Sequence, residues 1–224
     1  MGSISVKSYD LPDVDKREVL RYAGAAQAAP EVLALMEDCL REARDKIKCR
    51  VCWQRFPVRM SGETTDLSFA RTTSKNLQKN LTDCDSIVLF AATVGLEIDR
   101  LIARYNRVSP ARALMFQAIG AERIEALCRC FNDEISRQEK EAGGFTRPRF
   151  SPGYGDLPLE LQKDIFRVLD CPRKIGLTLN ESLLMSPSKS VTALIGIGRG
   201  AGECTRDDGC ADCGKTNCVF RRTI

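Results

Sequence analysis

Histidine is missing altogether from this chain of 224 residues. Its absence excludes a Ser-His-Asp triad and a Cys-His dyad, because both need an imidazole as the general base. It also excludes Cys₂His₂ zinc fingers, since two of their four metal ligands are histidines. Catalytic and metal-binding functions that depend on an imidazole are therefore ruled out for this chain.

Long apolar runs and a strong charge are missing as well. No apolar stretch approaches the ~18 residues of a membrane-spanning helix, and the amino terminus shows no charged-then-apolar signal pattern. The net charge is +4, with both signs mixed along the chain, and only 6% of the residues are aromatic. This balance is too weak to indicate nucleic-acid binding. We expect a cytoplasmic protein with no membrane or nucleic-acid partner.

The domain organisation follows from length and composition. A hydrophobic content of 43% is enough to bury a substantial core, and the length fits one large domain with a small appendage. We assign residues 1–200 to the domain and 201–224 to a cysteine-rich tail. Helical and strand patterns are mixed without regular βαβ alternation, which predicts an α+β fold.

The clearest secondary-structure signals are one long helix and one buried strand. Ser109-Pro110 supplies a cap and a first-turn proline, and apolar residues then recur at helical spacing to about Ala142. The continuous apolar run over 86–94 predicts a buried central strand. Shorter elements are predicted as a strand at 67–69, a helix over 158–169, and a hairpin that pairs 183–185 with 191–197.

A loop over 143–156, rich in glycine, proline and arginine, is long enough to suspect a function. Arg149 offers a planar fork that can hold a carboxylate by two hydrogen bonds. Pro152-Gly153 makes a tight turn in which the backbone can approach a ligand, and Tyr154 offers an aromatic face to a cation. A plain surface turn with a packed tyrosine is the alternative on these residues alone.

Three segments together carry a family resemblance. The loop reads R-F-S-P-G-Y over 149–154, and after a helix the chain reads T-L-N-E-S-L-L-M-S-P-S-K-S-V over 178–191. Upstream, A-E-R-I-E-A-L over 121–127 is similar to a ligand-contacting helix. With these motifs, residues 86–198 resemble the activation domain of cobalamin-dependent methionine synthase. The resemblance implies a C-shaped domain with a central antiparallel sheet, here in a free-standing form.

The resemblance also implies a binding site for S-adenosylmethionine, although it assigns no catalytic residue. Arg149 matches the arginine that grips the methionyl carboxylate, and Ser151 matches a small residue that contacts the ligand through its backbone. Gly153 and Tyr154 match the remaining loop contacts, and Glu125 matches the helix glutamate.

The chain departs from the family at two ligand contacts. The segment 193–197 is aliphatic where the family has a ligand-binding tyrosine, and the family's amino-terminal aspartate has no clear counterpart.

The function implied by the resemblance is reactivation of a cobalamin-dependent methionine synthase or a related corrinoid methyltransferase. A cobalamin-loaded protein would be the partner, with flavodoxin or ferredoxin as electron donor. Because the chain has no histidine to ligate cobalt, we expect cobalamin only through that partner. The activity would be one part of a methyltransferase system. A non-catalytic adapter that binds an adenosyl ligand or a corrinoid protein, with structural zinc, is the alternative.

The eleven cysteines fall into two groups. Seven are scattered, and among them Cys49 and Cys52 form a CxxC at the start of a strand. Strand geometry sends such sulfurs to opposite faces, which favours packing over metal binding. The other four crowd the end of the chain as C-x5-C-x2-C-x4-C, namely Cys204, Cys210, Cys213 and Cys218.

Four thiolates in so short a segment can hold an iron–sulfur cluster or zinc. Zinc ribbons usually separate two CxxC pairs by a longer spacer, so the compact spacing favours an iron–sulfur cluster that relays an electron. Zinc, or no metal, is the alternative.

Overall fold

The computed structural model describes residues 3–200, and within them helices and strands are mixed along the chain. The helices are α1 (Lys16–Tyr22), α2 (Pro30–Ala43), α3 (Lys75–Asn80), α4 (Glu97–Tyr105), α5 (Pro110–Glu141), α6 (Leu161–Leu169) and α7 (Cys171–Ile175). The strands are β1 (Ser5–Ser8), β2 (Arg50–Pro57), β3 (Arg59–Ser61), β4 (Thr64–Asp66), β5 (Arg71–Thr72), β6 (Cys84–Thr93), β7 (Gly144–Thr146), β8 (Thr178–Leu179), β9 (Met185–Ser186) and β10 (Ser190–Arg199).

A five-stranded sheet in the order β1-β2-β6-β10-β7 forms the centre of the domain. Every neighbouring pair in it is antiparallel. In the middle of the sheet Phe90 on β6 lies opposite Ala193 on β10 and Trp53 on β2. The architecture is therefore α+β with a central antiparallel sheet, as predicted.

Both faces of this sheet are covered, and each cover has its own core. Helices α1, α2, α4 and α5 pack on one face, and α3, α6 and α7 contribute to the core on the other. Along β6 alternate residues enter the two cores, so the strand is buried on both sides. This explains why its sequence reads as a continuous apolar run instead of an alternating one. The first core takes Val88, Phe90 and Ala92, and the second takes Ile87, Leu89 and Ala91.

Helix α5 is the longest element and begins and ends where the sequence predicts. Pro110 is its first residue, and Gly143 follows its last turn with a φ of +75°. In the first half of the helix, Gly120 packs tightly against Ile98 on α4 and against Lys189, which precedes β10. A Cβ at Gly120 would lie 2.8 Å from side-chain carbons of Ile98 and Lys189. Glycine is therefore required for this close approach.

A buried ion pair on α5 holds the amino-terminal segment. The Arg123 guanidinium donates to Glu122 Oε1 at 2.8 Å, and the two side chains are 6% and 2% exposed. Arg123 also donates to the carbonyl oxygens of Pro12 and Asp13, at 2.7 and 3.3 Å. The pair thus fixes the segment that leads into α1.

One predicted strand and one predicted strand pairing are wrong. Residues 67–69 form the turn between β4 and β5, because Ser68 adopts a φ of +70° and its N–H donates to Asp66. Strand β9 pairs with β8 and not with the 191–197 segment. The Asn180 side chain accepts from the Leu184 N–H and closes this tight turn, while β10 pairs along its length with β6.

Of the other sequence predictions, the start of α6 shifts by a few residues, and the packing of Cys49 and Cys52 is confirmed. Helix α6 begins at Leu161 and not at Pro158, since residues 157–160 form turns. Cys49 packs in the first core and Cys52 in the second, so their side chains do lie on opposite sides of the sheet. Within residues 3–200 no helix is both long and apolar enough to cross a membrane.

Candidate ligand-binding site

The predicted site loop is attached to the edge of the central sheet. Phe150 forms an antiparallel bridge with Leu194 on β10, with N–H to carbonyl distances of 2.8 and 2.9 Å in the two directions. Phe150 is also buried in the second core. The backbone on either side of it, including Arg149 and Ser151, is therefore held against β10.

The R-F-S-P-G-Y segment then folds back on itself. The Tyr154 N–H donates to the Ser151 carbonyl at 3.1 Å, and the Gly153 N–H donates to the Leu157 carbonyl at 2.9 Å. Gly153 has a φ of +84°, and a Cβ there would lie 3.1 Å from a methyl carbon of Leu159. Both the conformation and the space therefore require glycine in this turn.

A second set of contacts ties the end of the loop to α3. The Asp156 carboxylate accepts from the backbone N–H of Lys75 at 2.8 Å and of Asn76 at 3.2 Å, and from the Ser74 hydroxyl. The Ser74 hydrogen bond, followed by those from the backbone, lowers the pKa of Asp156 below its ordinary value. Asp156 thus anchors the loop and caps α3 at the same time.

Arg149 and Glu125, both predicted site residues, are in direct contact. Arg149 Nη2 lies 2.6 Å from Glu125 Oε2, and the two side chains are 18% and 24% exposed. Cys128, one turn further along α5, lies beside the same guanidinium. Burial raises the pKa of the Cys128 thiol to about 12, against the lowering effect of Arg149, so the thiol is neutral. The arginine fork is thus partly buried and partly open to solvent.

The remaining predicted residues belong to the loop itself. Tyr154 is 66% exposed, and its ring meets the edge of Phe150 with a centroid distance of 5.4 Å. Ser151 contributes its carbonyl to the turn and is half-buried. The loop and α5 together therefore present an arginine, a carboxylate and an exposed aromatic ring, which suit a carboxylate, hydroxyl groups and a cation in one ligand.

Sequence reasoning missed Cys128, Ser74 and Asp156 as parts of this site. Cys128 follows Glu125 at the i,i+3 spacing that places two side chains on one helix face, and this signal was available. Ser74 and Asp156 are 82 positions apart, and nothing in the sequence indicates that their side chains meet.

A cavity of about 530 Å³ lies elsewhere and holds none of the five predicted ligand residues. It is bounded by the amino-terminal segment, by α2 and by α5. Ile119 and Arg123 line it from α5, whereas Glu125 and Cys128 meet Arg149 on another face of that helix. The cavity and the loop are therefore separate features.

No group of three or more cysteine, aspartate or glutamate side chains that could hold a metal occurs in the described part of the chain. The predicted metal ligands lie outside residues 3–200. They are Cys204, Cys210, Cys213 and Cys218.

The fold and the loop define an α+β domain whose predicted ligand residues lie at the edge of an antiparallel sheet. Residues 76–202, more than half of the chain, match the sequence family described as the activation domain of vitamin B12 dependent methionine synthase. The chain belongs to that family, which confirms the resemblance found in its motifs.

A solved structure shares the fold. The crystal structure of the MetH reactivation domain bound to AdoHcy superposes with a TM-score of 0.61, covering 90% of this chain and 80% of that one. The two sequences are 16% identical over this match, so the likeness is one of fold. No curated protein matches the chain by sequence.

Proposed function

We propose that this protein binds S-adenosylmethionine at the 149–154 loop and supports the reductive reactivation of a cobalamin-dependent methionine synthase or a related corrinoid methyltransferase. The observation that carries the proposal is the Arg149–Glu125 contact of 2.6 Å beside that loop. It places an arginine fork and a carboxylate side by side, in a chain that belongs to the activation-domain family. The MetH reactivation domain bound to AdoHcy lends support through its shared fold.

Each of the five residues has a role in this proposal. Arg149 holds the methionyl carboxylate, and the Ser151 backbone contacts the ligand where the loop meets the sheet. Gly153 keeps the turn tight, and the exposed ring of Tyr154 faces the sulfonium group or the partner. Glu125 accepts hydrogen bonds from the ribose hydroxyls.

In this proposal the bound S-adenosylmethionine supplies its methyl group to the partner protein. After a one-electron reduction, the partner's cobalamin would take this methyl group as its substrate and leave S-adenosylhomocysteine behind. Flavodoxin or ferredoxin supplies the electron in this proposal, and the reaction takes place in the cytoplasm. What this chain contributes is to bind the methyl donor and to orient it towards the partner.

The tail over 201–224 has a separate role in the proposal. Its four cysteines hold an iron–sulfur cluster that relays the electron, with zinc as the competing occupant. The support is the spacing of the thiolates and the need for an electron in reactivation. The contact between Arg149 and Glu125 does not depend on this assignment.

Calorimetry and a methylation assay test the proposal in sequence. Titration of the whole protein with S-adenosylmethionine and S-adenosylhomocysteine should give saturable binding of both ligands. Addition of a reductant and a cobalamin-loaded methionine synthase should then give one methyl transfer per bound ligand. Binding without methyl transfer would indicate the non-catalytic adapter instead, and no binding would contradict both functions.

A further inference from the structure

We propose that Asn80 is a positioning residue of the site, because it holds the backbone from which Arg149 projects. The side-chain nitrogen Nδ2 of Asn80 donates to the Pro148 carbonyl oxygen at 3.1 Å. That carbonyl belongs to the same planar peptide unit as the Arg149 N–H, so the contact fixes the plane in which Arg149 begins. This inference rests on the proposed function and concerns how the binding loop is held in place.

The contact falls between two hydrogen bonds that join the loop to β10. The backbone N–H groups of Arg147 and Phe150 both donate to carbonyl oxygens of β10, at 2.8 Å. Between them, Pro148 has no N–H group, so its carbonyl is the only backbone group through which it can be hydrogen bonded. Asn80 provides that hydrogen bond from α3.

Helix α3 contacts both ends of the loop. Asn80 is its last residue and holds the start of the loop, whereas Asp156, at the end of the loop, accepts from N–H groups of its first turn. The helix has six residues and is about 9 Å long, so it sets the distance between the two attachments. Leu77 and Leu81 are buried in the second core, which also contains Phe150. The helix and the loop are therefore fixed to the same core.

The Asn80 amide is oriented for this contact and leaves its own oxygen unsatisfied. A carbonyl oxygen can only accept, so the amide nitrogen must face Pro148. The amide oxygen Oδ1 is then buried without a hydrogen-bond partner among the residues that the structure describes. A buried acceptor without a partner destabilises a fold. The contribution of Asn80 therefore lies in the placement of the loop and not in the stability of the protein.

Two substitutions separate placement from stability. Asn80→Asp keeps the shape of the side chain but puts a carboxylate opposite the Pro148 carbonyl, so the donor is lost. Asn80→Leu removes the donor together with the unsatisfied oxygen, so its melting temperature should not fall. Both variants should bind S-adenosylhomocysteine about 3- to 10-fold more weakly in a calorimetric titration of the whole protein.

The matched controls lie on the same helix. The Gln78 side chain donates to the Gly62 carbonyl at 3.3 Å, away from the loop. Gln78→Glu and Gln78→Leu make the same two kinds of change and should leave the affinity unaltered.

A double variant tests whether Asn80 acts through Arg149. If it does, Asn80→Leu combined with Arg149→Ala should bind S-adenosylhomocysteine no more weakly than Arg149→Ala alone. A residue that only supports the fold would not show this dependence, because its effect would add to that of Arg149→Ala.

The failures of the two proposals can be told apart. If S-adenosylhomocysteine does not bind the unmodified protein, the proposed function fails. If it binds, the positioning role of Asn80 is overturned by unchanged affinity in both Asn80 variants or by additive losses in the double variant. A lower melting temperature in Asn80→Leu, or equal losses of affinity in Gln78→Glu and Asn80→Asp, would also overturn it, because a general disturbance of α3 would then explain the effect.

Discussion

The Asp156 carboxylate accepts a hydrogen bond from the backbone N–H of Lys75 at 2.8 Å, which joins the end of the site loop to the first turn of α3. A carboxylate at a helix start satisfies N–H groups that lack a partner within the helix. One residue thus stabilises a helix and fixes the path of the loop that begins at Arg149. Asp156→Ala should therefore weaken S-adenosylhomocysteine binding, by about 3- to 10-fold in a calorimetric titration.

The same residue gives a prediction about pH. The Ser74 hydroxyl and the backbone N–H groups lower the pKa of Asp156 in the folded protein. Its stabilising effect is therefore complete above the unfolded pKa of about 3.9 and is lost as the pH falls through the lower folded value. The difference in melting temperature between the unmodified protein and Asp156→Ala should be constant near neutral pH and shrink below about pH 4.

Asp66 provides the control for both measurements. Its pKa is also lowered, first by a hydrogen bond from the Ser68 backbone, but it lies in the separate three-stranded sheet. Asp66→Ala should share the acid trend in stability and leave ligand affinity unchanged. Equal losses of affinity in the two variants would show that Asp156 has no particular effect on the loop.

Arg149→Ala should reduce affinity for S-adenosylmethionine by about 30- to 1,000-fold, because a carboxylate loses a charged, bidentate partner. Arg147 is the matched control in the same segment, since it donates to the Thr82 carbonyl at 2.9 Å and does not contact Glu125. Calorimetry on Arg147→Ala should give the affinity of the unmodified protein. Unchanged binding by Arg149→Ala would remove Arg149 from the site.

Long elements of this fold were predictable because their patterns are local. Helix α5 and strand β6 each contain enough apolar residues in one register to identify their type. Strand β1 was not predicted. Its four residues are mostly polar and exposed, and only pairing with β2 makes them a strand. The pairing of β8 with β9 was also missed, because the segment 191–197 is an equally plausible partner for β9 in the sequence.

In the candidate site, the residue types could be predicted from the sequence, and the contacts between them could not. Its residue types came from a motif resemblance, which the family match supports. The contact between Arg149 and Glu125 spans 24 positions and depends on how the loop crosses α5, so only the fold could reveal it. The part played by Asp156 was likewise hidden, because capping of α3 is a tertiary contact.

Gly155 sits beside Asp156 in a conformation that disfavours other residues. Its φ is +58°, and a Cβ would lie 2.3 Å from the Asn76 side-chain nitrogen, so that side chain would have to move. Gly24→Ala is the matched control, with a φ of +69° and nothing within 4 Å of the added carbon. Chemical denaturation should show about 1–2 kcal/mol lost in Gly24→Ala and about 1 kcal/mol more in Gly155→Ala. Equal losses would mean that Asn76 moves freely.

The Glu122–Arg123 pair gives a stability prediction independent of the ligand. Glu122→Ala leaves the Arg123 charge buried without its carboxylate and should lower the free energy of unfolding by about 3–5 kcal/mol. The double variant Glu122→Leu with Arg123→Met should cost less, because no buried charge remains. Urea denaturation of Glu122→Leu, Arg123→Met and the double variant measures the coupling. Additive losses would contradict a coupled buried pair.

The tail prediction concerns four cysteines beyond the described residues, and its two outcomes have different signatures. An iron–sulfur cluster at Cys204, Cys210, Cys213 and Cys218 gives brown protein, with absorbance at about 400 nm that bleaches on reduction.

Structural zinc instead gives colourless protein, because Zn²⁺ has no redox chemistry. Metal analysis of anaerobically purified whole protein distinguishes the two, and iron with sulfide is the expected result.

Substitution of one tail ligand gives the functional test of the same prediction. Cys213→Ser should abolish the ~400 nm absorbance and slow electron transfer to the cobalamin partner, while S-adenosylmethionine affinity stays unchanged. Cys39→Ser is the control, because that thiol is buried in the first core. It should lower stability without affecting a redox step. Zinc without iron would end the electron-relay role and leave the Arg149 site intact, because that site lies wholly within residues 3–200.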